Sequence, residues 1–195
     1  MASTEQNTTV LIDASCRGAA ERGPVGTAAS FRAITSTQWQ DIMARCHNKT
    51  TSAVGELQAI AIALYDAEKQ YSGMKDPHRN RVRFELFADS THALQKIRGD
   101  RECESHDEVM ICREILESLR FLLVESGRVH MFWVPAHKEV SGNERADNKA
   151  GDASTKASKI PGFPITRKVI FEPLDQGIPN PDREFGLAPL FWSAA

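Results

Sequence analysis

The sequence predicts an α/β fold, a five-stranded mixed sheet with a parallel half and helices on both faces. Three observations predict it. The first forty-odd residues alternate apolar and polar positions in three segments separated by short turns; the hydrophobic period then changes from two to 3.6 at Ser52. From there strands and helices take turns, and strand–helix–strand units after an antiparallel set put new strands parallel to an old one.

The elements follow in order. Thr9-Val10-Leu11-Ile12 is a β-branched and aliphatic run leading into Asp13-Ala14-Ser15-Cys16, a buried strand with an acid near its end. Arg17 to Pro24 reads as a turn rich in Gly and charge. Val25 to Ile34 and Thr37 to Arg45 form a hairpin closed at Thr35-Ser36. From Ser52 to about Tyr71, Val54, Leu57, Ala61, Leu64 and Ala67 line one face of a helix, with Glu56 read in its first turn, where the macrodipole favours a carboxylate. Val82, Phe84, Leu86 and Ala88 alternate with polar and larger neighbours in a strand that runs into Asp89. Ser90 opens a short helix ended by Gly99, and Ser105 with Glu108 caps a longer one whose apolar stripe runs from Val109 to Leu123 before Gly127. Arg128 to Val134 is the last strand. Ser141 with Glu144 makes a capping box for the last helix.

At 195 residues and 41% hydrophobic, the chain can bury one good core. Its formal net charge of -2 supplies no global field for nucleic acid, so any such binding comes from a local patch. The first residues lack the order of a signal peptide, and no apolar run approaches the ~20 residues that span a bilayer, which points to an intracellular protein with no membrane partner. Cys16, Cys46, Cys103 and Cys112 form no C-x-x-C pair and read as small, mostly buried thiols, not zinc ligands. Three regions emerge: a disordered start at 1–7, one domain over 8–156, and a Pro-rich tail at 157–195. Pro161, Pro164, Pro173, Pro179, Pro181 and Pro189 fall in that tail beside Phe163, Phe171, Phe185, Phe191 and Trp192, too apolar for a plain linker.

The chemistry gathers around four carboxylates. Asp13 and Asp89 stand late in two strands expected to be adjacent and parallel, beyond whose carboxyl ends ligands bind, and Glu56 and Asp147 enter from helix starts at the same edge. Four such groups together repel one another unless cations lie among them, and hard oxygen ligands suit Mg2+ or Mn2+ better than zinc. Two ions ~4 Å apart suit in-line phosphodiester hydrolysis. His137, in the loop before the last helix, fits proton transfer or product release at the rim.

In order and spacing, Asp13, the Ser52-Ala53-Val54-Gly55-Glu56-Leu57-Gln58-Ala59-Ile60 segment, Asp89-Ser90 with Ala93-Leu94, and the block from His137 through Gly142-Asn143-Glu144-Arg145-Ala146-Asp147 resemble the ribonuclease H family, bacterial type. The Glu-Leu-Gln-Ala-Ile and Gly-Asn-Glu-Arg-Ala-Asp segments are most similar to ribonuclease H domains of retroelement reverse transcriptases. The resemblance covers about residues 8–156. It implies strand order 3-2-1-4-5 and cleavage of the RNA strand of RNA–DNA hybrids, leaving 5′-phosphate and 3′-hydroxyl ends. It also implies two Mg2+ ions, with Mn2+ able to substitute: Asp13 bridging both, Asp147 completing one site, Glu56 and Asp89 the other. Ser15, Thr51, Ser52 and Asn143 fall where the family contacts nucleic acid, and a reverse transcriptase or other domain of a longer polyprotein is the implied partner.

Ala14 and Ala136 stand where many members have glycine, and the segment from Gly99 to Gly127 is balanced to acidic where some carry a basic protrusion. Two other readings remain: a non-catalytic descendant kept as a binding or scaffolding module, and another nuclease on the same scaffold. Retention of all four carboxylates with the histidine argues against the first, and the histidine loop against the second.

Overall fold

In the computed structural model, residues 8–17, 25–33, 36–46, 51–74, 82–126, 128–135 and 140–155 are described. They form β1 (Thr8–Arg17), β2 (Gly26–Ala33), β3 (Gln40–Arg45), α1 (Ser52–Gly73), β4 (Val82–Ala88), α2 (Thr91–Arg98), α3 (His106–Ser126), β5 (Val129–Trp133) and α4 (Ser141–Thr155). The sheet has the order β3-β2-β1-β4-β5. Pairing is antiparallel for β1 with β2 and β2 with β3, and parallel for β1 with β4 and β4 with β5.

Local signals set most element ends. The Thr51 hydroxyl accepts the Val54 N–H at the start of α1, and the Ser90 hydroxyl accepts the Ala93 N–H at the start of α2. Gly99 ends α2 in the left-handed region at φ 80, which glycine adopts without steric cost. The Ser105 hydroxyl accepts the Glu108 N–H and opens α3.

Strand alternation divides the residues of β1 between two layers. Ile12, Ala14, Phe84, Leu86 and Met131 join the core built with α1, α2 and α3. On the opposite face α4 crosses β1, β2 and β3. The crossing is close because position 26 is glycine: a Cβ there would run into the Ala150 carbonyl and the Ser154 backbone nitrogen. Arg145 of α4 then reaches the Asp41 carboxylate through Nε at 2.7 Å and Nη2 at 2.6 Å. Burial works to raise the pKa of Asp41, but hydrogen bonds from Arg145 and Ser30 outweigh it and hold it below the ordinary carboxylate range.

Several local expectations shift. β1 continues to Arg17, so Arg17 is strand and Asp13 is the sixth of ten strand residues; pairing with β2 carries β1 beyond its parallel ladder with β4. The first hairpin strand lies inside its expected bounds, at Gly26–Ala33, and the second starts later than expected, at Gln40, and ends as expected at Arg45. Glu56 is the fifth residue of α1, past the first turn, so the macrodipole does not account for it. The Glu144 N–H bonds the Val140 carbonyl, which makes Val140 and not Ser141 the N-cap of α4. Among the described residues no helix is long and apolar enough to cross a membrane. Residues 1–7 and 156–195 lie outside the described residues, as does His137.

Candidate active site

The parallel ladder between β1 and β4 closes at Ala14 with Ala88, and Asp89 follows directly. Asp13, described by its backbone alone, sits one position before that closure, between Ser30 of β2 and Phe87 of β4. The end of a parallel pair is where backbone groups and side chains become free to face a ligand. The Trp133 indole N–H donates to the Asp89 carbonyl at 3.1 Å and ties the end of β5 to this edge.

Glu56 reaches the same edge from α1. Its helix can lie close to β1 because position 55 is glycine, where a Cβ would stand 2.8 Å from Val25 Cγ1 and 2.9 Å from Cys16 Sγ. Burial, then the Asp89 charge and more weakly that of Asp147, push the Glu56 carboxyl up to about 8, against hydrogen bonding from Cys16 that acts the other way. Three carboxylates from three different elements are thus within electrostatic reach of one another.

Asp147, the seventh residue of α4, is partly buried and pairs with the Arg17 guanidinium at 3.3 Å. Among the described side chains no three histidine, cysteine or carboxylate groups already close round one point as a finished metal cage. The donor set nevertheless suits a hard cation: oxygen-only carboxylates, one of them held protonated by burial and by like charges that a cation would offset.

The expected nucleic-acid contacts differ in exposure. Thr51 and Ser52 are exposed at the start of α1, with the Thr51 hydroxyl already serving as its cap. Ser15 is 2% exposed and has little surface to offer a ligand. Asn143 is 3% exposed, and its Nδ2 has no hydrogen-bond partner among the described residues.

Two neighbours of the acids were not expected at the site. Cys16, one of the small thiols of the sequence, hydrogen-bonds Glu56, and its own ionisation is suppressed by burial and by the Glu56 charge. The strand alternation that places Ile12 and Ala14 on the α1 side also carries Cys16 there, and that was the available signal. Arg17 was read as a turn residue; only the length of β1 brings it to Asp147.

The sequence profile of the RNase H family matches residues 5–155. Among solved structures, the N-terminal RNase H domain of a Mycobacterium tuberculosis protein, solved as a fusion with maltose-binding protein, is similar at 19% identity and a TM-score of 0.57, covering 77% of this chain and 99% of that one. LC11-RNase H1, isolated from compost by a metagenomic approach and solved in complex with an RNA/DNA hybrid, is similar at 20% identity and a TM-score of 0.54, covering 77% and 99%. RNase H1 of the halophilic archaeon Halobacterium salinarum gives 18% identity and a TM-score of 0.51, covering 75% and 98%. At such identities the structures attest the fold; the profile, spanning every described element, shows that the chain belongs to the ribonuclease H family.

Proposed function

We propose that this ribonuclease H cleaves the RNA strand of RNA–DNA hybrids endonucleolytically and that Asp13, Glu56, Asp89 and Asp147 hold two divalent cations, Mg2+ or, in its place, Mn2+. The observation that carries the reading is the convergence of a half-buried Glu56, its carboxyl raised, with Asp89 and Asp147. When bound, the cations supply activation of a water and neutralisation of charge at the scissile phosphodiester.

The protein's own groups do the rest. Glu56 gives up its proton to become a ligand, and its place on α1 beside Cys16 of β1 fixes where that ligand stands. The Trp133 indole holds the backbone at Asp89; Asn143, whose buried Nδ2 has no partner among the described residues, is assigned to the nucleic-acid backbone by its place in sequence. Thr51, Ser52 and Ser15 are assigned to the same backbone contacts by their sequence positions. His137 is assigned to proton transfer or product release from its place in sequence between β5 and α4. Hybrid recognition by 2′-hydroxyls and groove shape accords with a relative solved in complex with such a duplex. The Glu-Leu-Gln-Ala-Ile and Gly-Asn-Glu-Arg-Ala-Asp segments favour a retroelement reverse transcriptase as the polypeptide setting.

The test compares cleavage of labelled hybrid, duplex RNA and duplex DNA, with Mg2+ and with excess chelator. Cleavage confined to the RNA of the hybrid, abolished by chelator and by Glu56→Gln, is expected. Undiminished activity in chelator would overturn the cation assignment. Absence of hybrid cleavage under all conditions would favour a binding or scaffolding module.

A further inference from the structure

We propose that Arg17 is a resident counter-cation of this site, holding Asp147 in the metal-free protein and competing with a divalent cation for that carboxylate. The inference rests on the reading of Asp147 as a cation ligand.

Three features of the structure support it. Arg17 is the last residue of β1, beyond the point where the parallel ladder with β4 has ended, and its side chain emerges there beside Asp147. Its Nη1 lies 3.3 Å from Asp147 Oδ2, with side-chain exposures of 54% for Arg17 and 16% for Asp147. The carboxylate is fixed by the fold while the guanidinium has solvent to move into. The third feature is Gly151, one helical turn beyond Asp147. A Cβ at that position would stand 3.3 Å from Arg17 Cδ and 3.6 Å from its Nη1, so the Arg17 side chain lies against α4 where the helix carries no side chain of its own. Glycine inside a helix is a destabilising choice relative to alanine, and here it leaves the arginine its seat.

The consequence is a competition. A guanidinium and a divalent cation on one carboxylate repel each other, so the ion binds at full strength only after Arg17 has swung outward. In the metal-free protein the same guanidinium partly neutralises the Asp147 carboxylate. An exposed arginine pair is worth little in itself, so the effect is modest.

Calorimetric titration of Mg2+ and Mn2+ into the chelator-stripped full chain tests this, with Arg17→Gln, Arg17→Lys, Gly151→Ala and Asp147→Asn beside the parent. Arg17→Gln is expected to bind the ions about two- to fivefold more tightly, with Arg17→Lys returning towards the parent. Gly151→Ala, which crowds the arginine without changing charge, is expected to shift affinity in the same direction as Arg17→Gln. Metal-free Arg17→Gln should melt roughly 1–3 °C below the parent and gain more from added Mg2+. Equal or weaker binding by a folded Arg17→Gln, while Asp147→Asn still loses affinity, would overturn the role of Arg17 and leave the cation site standing. If Asp147→Asn left the titration of the parent unchanged, the ligand reading itself would fall and this proposal with it.

Discussion

At Glu56 a carboxyl from α1 faces Asp89, Asp147 and the Cys16 thiol, so its protonation is coupled to folding. The folded protein keeps the proton up to about pH 8, whereas the unfolded chain releases it near the ordinary glutamate value of 4.5. Between those values the unfolded state binds fewer protons, so the stability of the metal-free protein falls as pH rises through that window. Glu56→Gln keeps the shape and removes the charge. It is expected to match the parent near pH 4 and to exceed it above pH 8 by on the order of 5 kcal/mol. Urea melts at pH 4, 7 and 9 in chelator check this; a parent with flat stability across that range would mean that Glu56 titrates normally.

Helix placement depends on contacts that single side chains decide. α4 lies on the sheet over Gly26, where the incoming Cβ of an alanine meets helix backbone and the Ala153 Cβ at 2.8 Å, none of which can rotate away. Gly26→Ala is therefore expected to cost roughly 2–4 kcal/mol or to prevent folding, measured by denaturant melts, because α4 and with it Asp147 must lift from β2. An unchanged midpoint would show that α4 can slide. On the other face, Lys96 of α2 and Glu108 of α3 form a buried pair at 2.7 Å, with side-chain exposures of 2% and 3%. Lys96→Met alone leaves a buried carboxylate and is expected to cost about 3–5 kcal/mol, whereas Lys96→Met with Glu108→Leu should recover most of the loss. A double-mutant cycle with no coupling would remove this pair from the account of how α2 is held.

For the whole molecule, the formal net charge of -2 and the acidic balance of α3 and the loop before it limit attraction to a polyanion. Arg98 pairs with Asp100, Arg101 with Glu104 and Arg145 with Asp41, so part of the positive charge is already engaged within the protein. The isolated chain is expected to bind hybrid weakly, with a shallow dependence of log affinity on log salt corresponding to a few phosphates, and to need high concentration or a tethered partner for efficient cleavage. Fluorescence anisotropy across a salt series, using Asp13→Asn to prevent cleavage, measures this. Tight binding at physiological salt with a steep slope would reveal a basic surface absent from this account.

The order of strands and helices was legible in the chain because it is written in short-range signals: alternation in β4, the 3.6-residue period of α1, the Ser90 and Ser105 caps, and Gly99 in its left-handed turn. Such signals act over about four residues, and the sequence determined them by itself. The same locality explains the differences: Ser141 has the chemistry of a cap but α4 takes Val140 as its N-cap, and Glu56, fifth from the expected start at Ser52, already lies past the first turn. Sheet pairing decided how far β1 runs, and therefore that Cys16 meets Glu56 and Arg17 meets Asp147. The acids are visible as types in a suggestive order, and so is their mutual repulsion; that Glu56 is the one whose pKa is raised is not, because desolvation is decided only when residues far apart in sequence are brought together by the folded sheet and its helices.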